Sequence, residues 1–169
     1  MRQNGPEVGG DGVASRPHRF LCILEALSAR CLAMVDYLSV IVAAVAAFAV
    51  GALWYGPLFG RPWRLLMNYS EGHAGTPSGG QGMSMPFAMG GGFIATLVLV
   101  YVLAVFMQAL GIATASEAVS FGFTVSVGFI ATTMMNSVFY ERRPWKLYLI
   151  NASHYVVAVI VASLVLFYV

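Results

Sequence analysis

The chain has 169 residues, of which 59% are hydrophobic and only 9% charged, against roughly 25% charged in ordinary soluble domains. So few charges cannot cover that much apolar surface in water, which excludes a soluble globular domain, and the length allows one bundle rather than two domains. A formal net charge of +2 is too small to indicate nucleic-acid binding, so the nine Lys and Arg inform by their positions.

Residues 1–19 are rich in Gly, Pro and Arg with no periodic apolar face, which predicts disorder. Residues 20–33 are apolar enough for a short interfacial helix, although they include Glu25 and Arg30. The alternative is that Met34 is the true start and residues 1–33 are an upstream extension. Arg2, Arg16 and Arg19 ahead of an apolar stretch also resemble a signal peptide. The apolar run at 20–24 is short and soon broken by Glu25, so a retained helix is the expectation. Cys22 and Cys31 form neither a CxxC pair nor part of a His cluster, and read as incidental thiols.

Residues 37–55, 87–110, 118–140 and 147–169 contain no Asp, Glu, Lys or Arg. Each is long enough to cross a hydrocarbon layer of roughly 30 Å at about 1.5 Å per helical residue. They predict an all-α, four-span transmembrane helical bundle over residues 34–169. Span one is expected to end at Trp54-Tyr55-Gly56-Pro57, with the aromatics in the headgroup layer and Gly-Pro stopping the helix. Residues 61–67, with Pro62 in a first turn, suggest a short interfacial helix, and residues 71–85 a Gly-rich loop. Span two follows Pro86 and ends near Gln108. Residues 111–116 make a tight connection, with Ser116 as N-cap of span three and Glu117 at the positive end of its dipole. Span three ends at Phe139-Tyr140, and residues 141–146 form a basic turn before span four. Trp54, Tyr55, Trp63, Arg142, Arg143 and Trp145 are the expected interface anchors.

The first and third loops share a side and hold Arg61, Arg64, Arg142, Arg143 and Lys146. The other side has only Arg19 and Arg30 near span one, or neither if Met34 is the start. The positive-inside rule then puts both loops in the cytoplasm and both termini outside. Arg61-Pro62-Trp63-Arg64-Leu65 and Arg143-Pro144-Trp145-Lys146-Leu147 echo each other. The echo reads either as a duplicated two-helix hairpin or as convergence on residues that suit the interface, and the halves align poorly elsewhere.

Span three carries Ser120, Thr124, Gly128, Thr132 and Asn136 at every fourth position, hence on one face. Such a stripe lets a neighbouring helix approach closely; the other reading is a polar lining for a solute path. Ala43, Ala47 and Gly51 in span one, and Ala88, Gly92 and Thr96 in span two, repeat the spacing. In span four Asn151 and His154 share a face. By depth, Asn151 should meet Asn136 across the hairpin, and His154 should lie near Thr132 and Thr133. An ionisable group inside a span is a candidate site. A neutral imidazole hydrogen-bonded to Asn or Thr is the bland reading, and proton handling the sharp one. The candidate polar site is therefore Thr132, Thr133, Asn136, Asn151 and His154. The scattered His18, His73 and His154 make no metal cluster. No Ser–His–acid set can be built within the spans, and Gly90-Gly91-Gly92 lacks the flanking strand of a phosphate loop.

Gly51-Ala52-Leu53-Trp54-Tyr55-Gly56-Pro57-Leu58-Phe59-Gly60 with Trp63, and the stretch from Asn136 to His154 with Phe139, Glu141, Lys146 and Leu147, resemble the bacterial "domain of unknown function 1761" membrane family. The resemblance covers about residues 34–169; the long Gly-rich first loop departs from it. It implies a four-helix bacterial inner-membrane protein with no established activity, so no catalytic or cofactor-binding residue is carried over.

The expectation is a small, non-enzymatic protein of the bacterial cytoplasmic membrane. Its partners are the lipid bilayer and either a second copy or another membrane protein, met through the hairpin of spans three and four. The alternative is a small-solute or proton-coupled transporter working as a homo-oligomer. A membrane-embedded enzyme is weaker, because only His154 could do acid–base work. A water-filled cavity reaching His154 favours transport, and a dry packed interior favours association.

Overall fold

The computed structural model describes residues 35–67 and 85–169. The expectations for residues 1–34, for Cys22 and Cys31, and for most of the Gly-rich loop fall outside those residues. Every regular element among the described residues is helical. Helix α1 covers Tyr37–Leu53 and continues as a wider π-helical turn, Trp54–Leu58. It is followed by the short α2, Gly60–Leu66. Helix α3 is Met85–Leu110, α4 is Ala115–Phe139, and α5 is Trp145–Tyr168. Helices α1, α3, α4 and α5 are the four long and apolar enough to cross a membrane, as the charge-free runs predict.

Local chemistry sets the ends of these helices. Asp36 caps α1: its carboxylate accepts from Leu38 N–H at 3.1 Å and from the Ser39 hydroxyl at 2.8 Å. The Ser39 hydroxyl and then the Leu38 N–H hold this carboxyl below its ordinary range. Gly111, at φ 65°, ends α3. The N–H of Gly111 donates to Gln108 O and that of Ile112 to Met107 O, both at 3.1 Å. This is the Schellman closure, which needs a left-handed residue and therefore favours glycine.

Three expected boundaries are corrected. Gly56-Pro57 does not stop α1. Proline removes one N–H and crowds the carbonyl four residues back, and here the turn widens instead of ending. Phe59 N–H donates across five residues to Trp54 O at 2.8 Å. The N-cap of α4 is Thr114, not Ser116. The Thr114 hydroxyl accepts from Glu117 N–H at 3.3 Å, and the Glu117 carboxylate accepts from Thr114 N–H at 3.2 Å. That reciprocal box satisfies two helix-end donors, which Ser116 is placed too late to do. Finally, α5 starts at Trp145, so Trp145 and Lys146 belong to the helix and not to the basic turn. Pro144, with φ −65° and ψ 139°, sits just before it, as suits a residue with no N–H to offer. Pro62, by contrast, lies inside α2, so the two echoing pentapeptides differ in local structure.

Helix α5 is the hub. It packs against α1 on one side and α4 on the other, and also touches α3, while α1 packs against α3. The seams are built from small residues: Ala43, Ala44 and Ala47 of α1, Ala118 of α4, and Ala158, Ala162 and Ser163 of α5 are all buried. Large apolar side chains point outward instead, among them Ile94, Phe106, Phe123 and Phe129. Val100, Leu103 and Val159 are buried as well, but so many large apolar groups on the outside depart from the water-soluble pattern. This arrangement suits lipid, where close backbone packing replaces the hydrophobic drive between helices.

Candidate functional site

The polar groups converge where the end of α1 meets the first half of α5. The widened turn places two consecutive aromatics against that helix. Trp54 Nε1–H donates to the Ile150 carbonyl, and the Tyr55 hydroxyl to Asn151 Oδ1, each at 3.0 Å. One turn further along α5, the His154 ring lies 4.9 Å from that of Tyr55, 5.1 Å from Tyr155 and 6.3 Å from Trp54, between centroids. On the α1 side it meets Gly51, where a Cβ would fall 3.1 Å from Nε2. Glycine at 51 therefore sets how closely the imidazole approaches the helix.

Both imidazole nitrogens are closed off from solvent, and neither has a hydrogen-bond partner among the described residues. Beside the ring, a cavity of about 30 Å³ is lined by Thr96 of α3, Ala47 of α1, and Tyr155 and Ala158 of α5. That is room enough for an ordered water molecule and little more. A larger cleft of about 370 Å³ lies at the opposite end of the bundle. It is framed by Asp36 and Ser39 at the start of α1, Gln108 at the end of α3, and Phe167 near the end of α5. Among the described residues no three of His, Cys, Asp or Glu are grouped to hold a metal ion.

The five expected site residues are not brought together. Asn151 and His154 turn to α1 rather than to α4. Asn136 is exposed on the outer side of α4, as are Thr132 and Thr133. The Thr132 hydroxyl donates to Gly128 O at 2.6 Å, and that of Thr133 to Phe129 O, both within their own helix. The seam between α4 and α5 is instead filled by Ala118, Gly122, Ser126 and Ala131, all buried. The first three lie two positions out of phase with Ser120, Thr124 and Gly128, or about 200° round the helix. A second π-helical turn, Ser126–Ala131, then makes the next buried step five residues long. There the Tyr148 hydroxyl of α5 donates to the Ala131 carbonyl at 3.2 Å.

The expected interface anchors divide into two groups. Trp54 and Tyr55 are half-buried and bind α5. The Trp63 ring of α2 lies 5.3 Å from Tyr55. Trp145 is half-exposed, edge-on to Phe139 at 6.0 Å and to Tyr148 at 5.7 Å. Arg142, at φ 56°, and Arg143 are exposed. Arg143 lies 3.5 Å from the Glu141 carboxylate, an exposed pair of the kind that contributes little. The role of Trp54 and Tyr55 as donors to α5 was missed because aromatic side chains at a helix end suit a headgroup layer equally well. The available signal was an Asn deep in α5 needing a donor.

The family model described as "Protein of unknown function (DUF1761)" matches residues 38–167. No curated protein and no solved structure matches the chain.

Proposed function

The chain belongs to the DUF1761 family, and on that premise we propose that it is a non-enzymatic, multi-pass protein of the bacterial cytoplasmic membrane that works by associating with a second copy of itself through the outer face of α4. One observation carries this reading: Ser120, Thr124, Gly128, Thr132 and Asn136 form a stripe of small and polar side chains that faces outward. Large apolar residues would suit lipid better there. Small residues at every fourth position allow two helices close contact. The hydroxyls of Thr132 and Thr133 are already engaged within α4. The Asn136 amide both donates and accepts, so across a two-fold axis two copies complement each other. The small volume of the His154 cavity and the closed-off imidazole support association over solute transport through one protomer.

Leucine at 128 tests this reading. A Cβ at Gly128 meets nothing within 4 Å, so Gly128→Leu should leave the protomer's unfolding free energy within about 0.5 kcal/mol of the native chain. It should shift the monomer–dimer equilibrium in detergent at least tenfold toward monomer, read by energy transfer between labelled chains. A dimer that tolerates the leucine, or a native chain that stays monomeric at high protein-to-detergent ratio, refutes the reading.

The orientation follows from the charges. Among the described residues, one end of the bundle holds Arg61, Arg64, Arg142, Arg143 and Lys146 with Glu141, and the other holds Asp36 and Glu117. The basic end is cytoplasmic and the termini lie outside. With Cys22 and Cys31 changed to Ser, a cysteine at Ala113 should react with a membrane-impermeant maleimide added to intact cells, and one at Glu141 should not. The opposite pattern reverses the orientation.

A further inference from the structure

The five cations at the basic end come from segments far apart in sequence. Helix α2, which carries Arg61 and Arg64, packs against α5. The Trp54–Ile150 and Tyr55–Asn151 bonds hold the end of α1 at the level of the first turns of α5. That brings α2 to the same end of the bundle as Arg142, Arg143 and Lys146. Glu141 is the single carboxylate at this end among the described residues, and it faces Arg143 alone at 3.5 Å. The cations are interleaved with large exposed apolar groups: Leu58 is 56% exposed, Leu65 77%, Phe139 63% and Tyr140 84%. A soluble phosphate would use the charge and leave that apolar surface in water. An amphiphile with an anionic head matches both parts.

We propose that the basic end of the bundle, between α2 and the turn joining α4 to α5, is a binding surface for an anionic phospholipid. Its phosphate meets the Arg and Lys side chains, and its acyl chains lie along the exposed apolar groups beside them. The geometry suits arginine, whose planar fork engages phosphate oxygens in pairs. The surface rests on residence in a membrane, and its charged part, on α2 and the turn before α5, lies outside the α4 stripe that self-association uses.

Binding of fluorescent phosphatidylglycerol and fluorescent phosphatidylcholine to the full chain in neutral-detergent micelles tests the proposal. Phosphatidylglycerol should be preferred at least tenfold. The triple change Arg61→Gln, Arg142→Gln and Arg143→Gln spares Arg64, whose Nε–H already donates to Gly60 O at 3.2 Å. It should weaken phosphatidylglycerol binding on the order of a hundredfold and remove most of that preference, since each cation near a lipid surface accounts for about fivefold in affinity. The same three positions changed to Lys should retain most of the preference, which separates loss of charge from loss of fold. Equal binding of the two lipids, a glutamine triple variant that keeps the preference, or a lysine variant that loses it entirely would overturn the proposal. Glycerol 3-phosphate should fail to displace the lipid; displacement at comparable concentration would mark a free-anion site and overturn it too.

Discussion

Leucine at position 122 is expected to open the seam between α4 and α5. A Cβ placed on Gly122 would stand 2.9 Å from Ser163 Oγ, 3.1 Å from Ile160 Cα and 3.2 Å from the Val159 carbonyl oxygen. The serine hydroxyl can rotate away. The other two atoms are backbone of the hub helix and give only if α5 itself moves. Forcing a side chain into such a contact costs typically 1–3 kcal/mol, and leucine adds three carbons beyond the Cβ. Gly122→Leu should therefore lower the unfolding free energy in mixed detergent by roughly 3 kcal/mol or more, and Gly122→Ala by about 1–2 kcal/mol. Gly128→Leu, only six positions along the same helix, should barely register. Equal effects at 122 and 128 would mean that α4 does not present the Gly122 face to α5.

The contrast between those two glycines marks the limit of what the sequence discloses. The spans are legible because lipid imposes a length: 22 to 25 residues per helix follow from the thickness of a hydrocarbon layer. Four-residue spacing is legible too. Which of two such stripes turns inward is not. Ser120-Thr124-Gly128 and Ala118-Gly122-Ser126 have the same period, and both are made of small residues. Polarity suggested that the first would be buried. Its Thr132, like the neighbouring Thr133, satisfies its hydroxyl on its own helix, which leaves the less polar stripe free to make the tighter seam. The wider turn at Ser126–Ala131 carries no proline or charge that would announce it. The capping box at Thr114 was readable, since a threonine three residues before a glutamate is its signature. The partners of Asn151 and His154 lie on α1, with Tyr55 and Asn151 separated by 96 positions. Helix order within a bundle, and so a pairing of that separation, follows from packing and not from any local pattern.

A methyl group at position 60 is expected to dismantle the junction around His154 without touching it. The Cβ of an alanine there would fall 2.5 Å from the Tyr55 carbonyl oxygen and 3.3 Å from its carbon, inside contact distance of main chain that cannot swing aside. The π-helical turn over Trp54–Leu58 must rewind to admit it. That turn aims Trp54 at Ile150 and Tyr55 at Asn151, so both donors leave α5 together. Each interhelical hydrogen bond within a membrane contributes about 0.6 kcal/mol on average and up to about 1.7 kcal/mol. Adding backbone strain of 1–3 kcal/mol gives a loss of roughly 3 kcal/mol for Gly60→Ala in detergent unfolding. Gly56→Ala is the internal control: it lies in the same turn, nothing stands within 4 Å of its Cβ position, and it should be neutral or slightly stabilising because alanine loses less conformational entropy than glycine on folding. A double-mutant cycle identifies the cause. Tyr55→Phe and Asn151→Leu should be coupled by about 0.6 kcal/mol or more in the native background and uncoupled in Gly60→Ala, whereas Asn136→Leu and Asn151→Leu should be additive in both. Coupling of Tyr55 to Asn151 that survives the alanine would show that Gly60 does not set the turn. Coupling of Asn136 to Asn151 would restore the pairing across the α4–α5 hairpin that the exposed position of Asn136 contradicts.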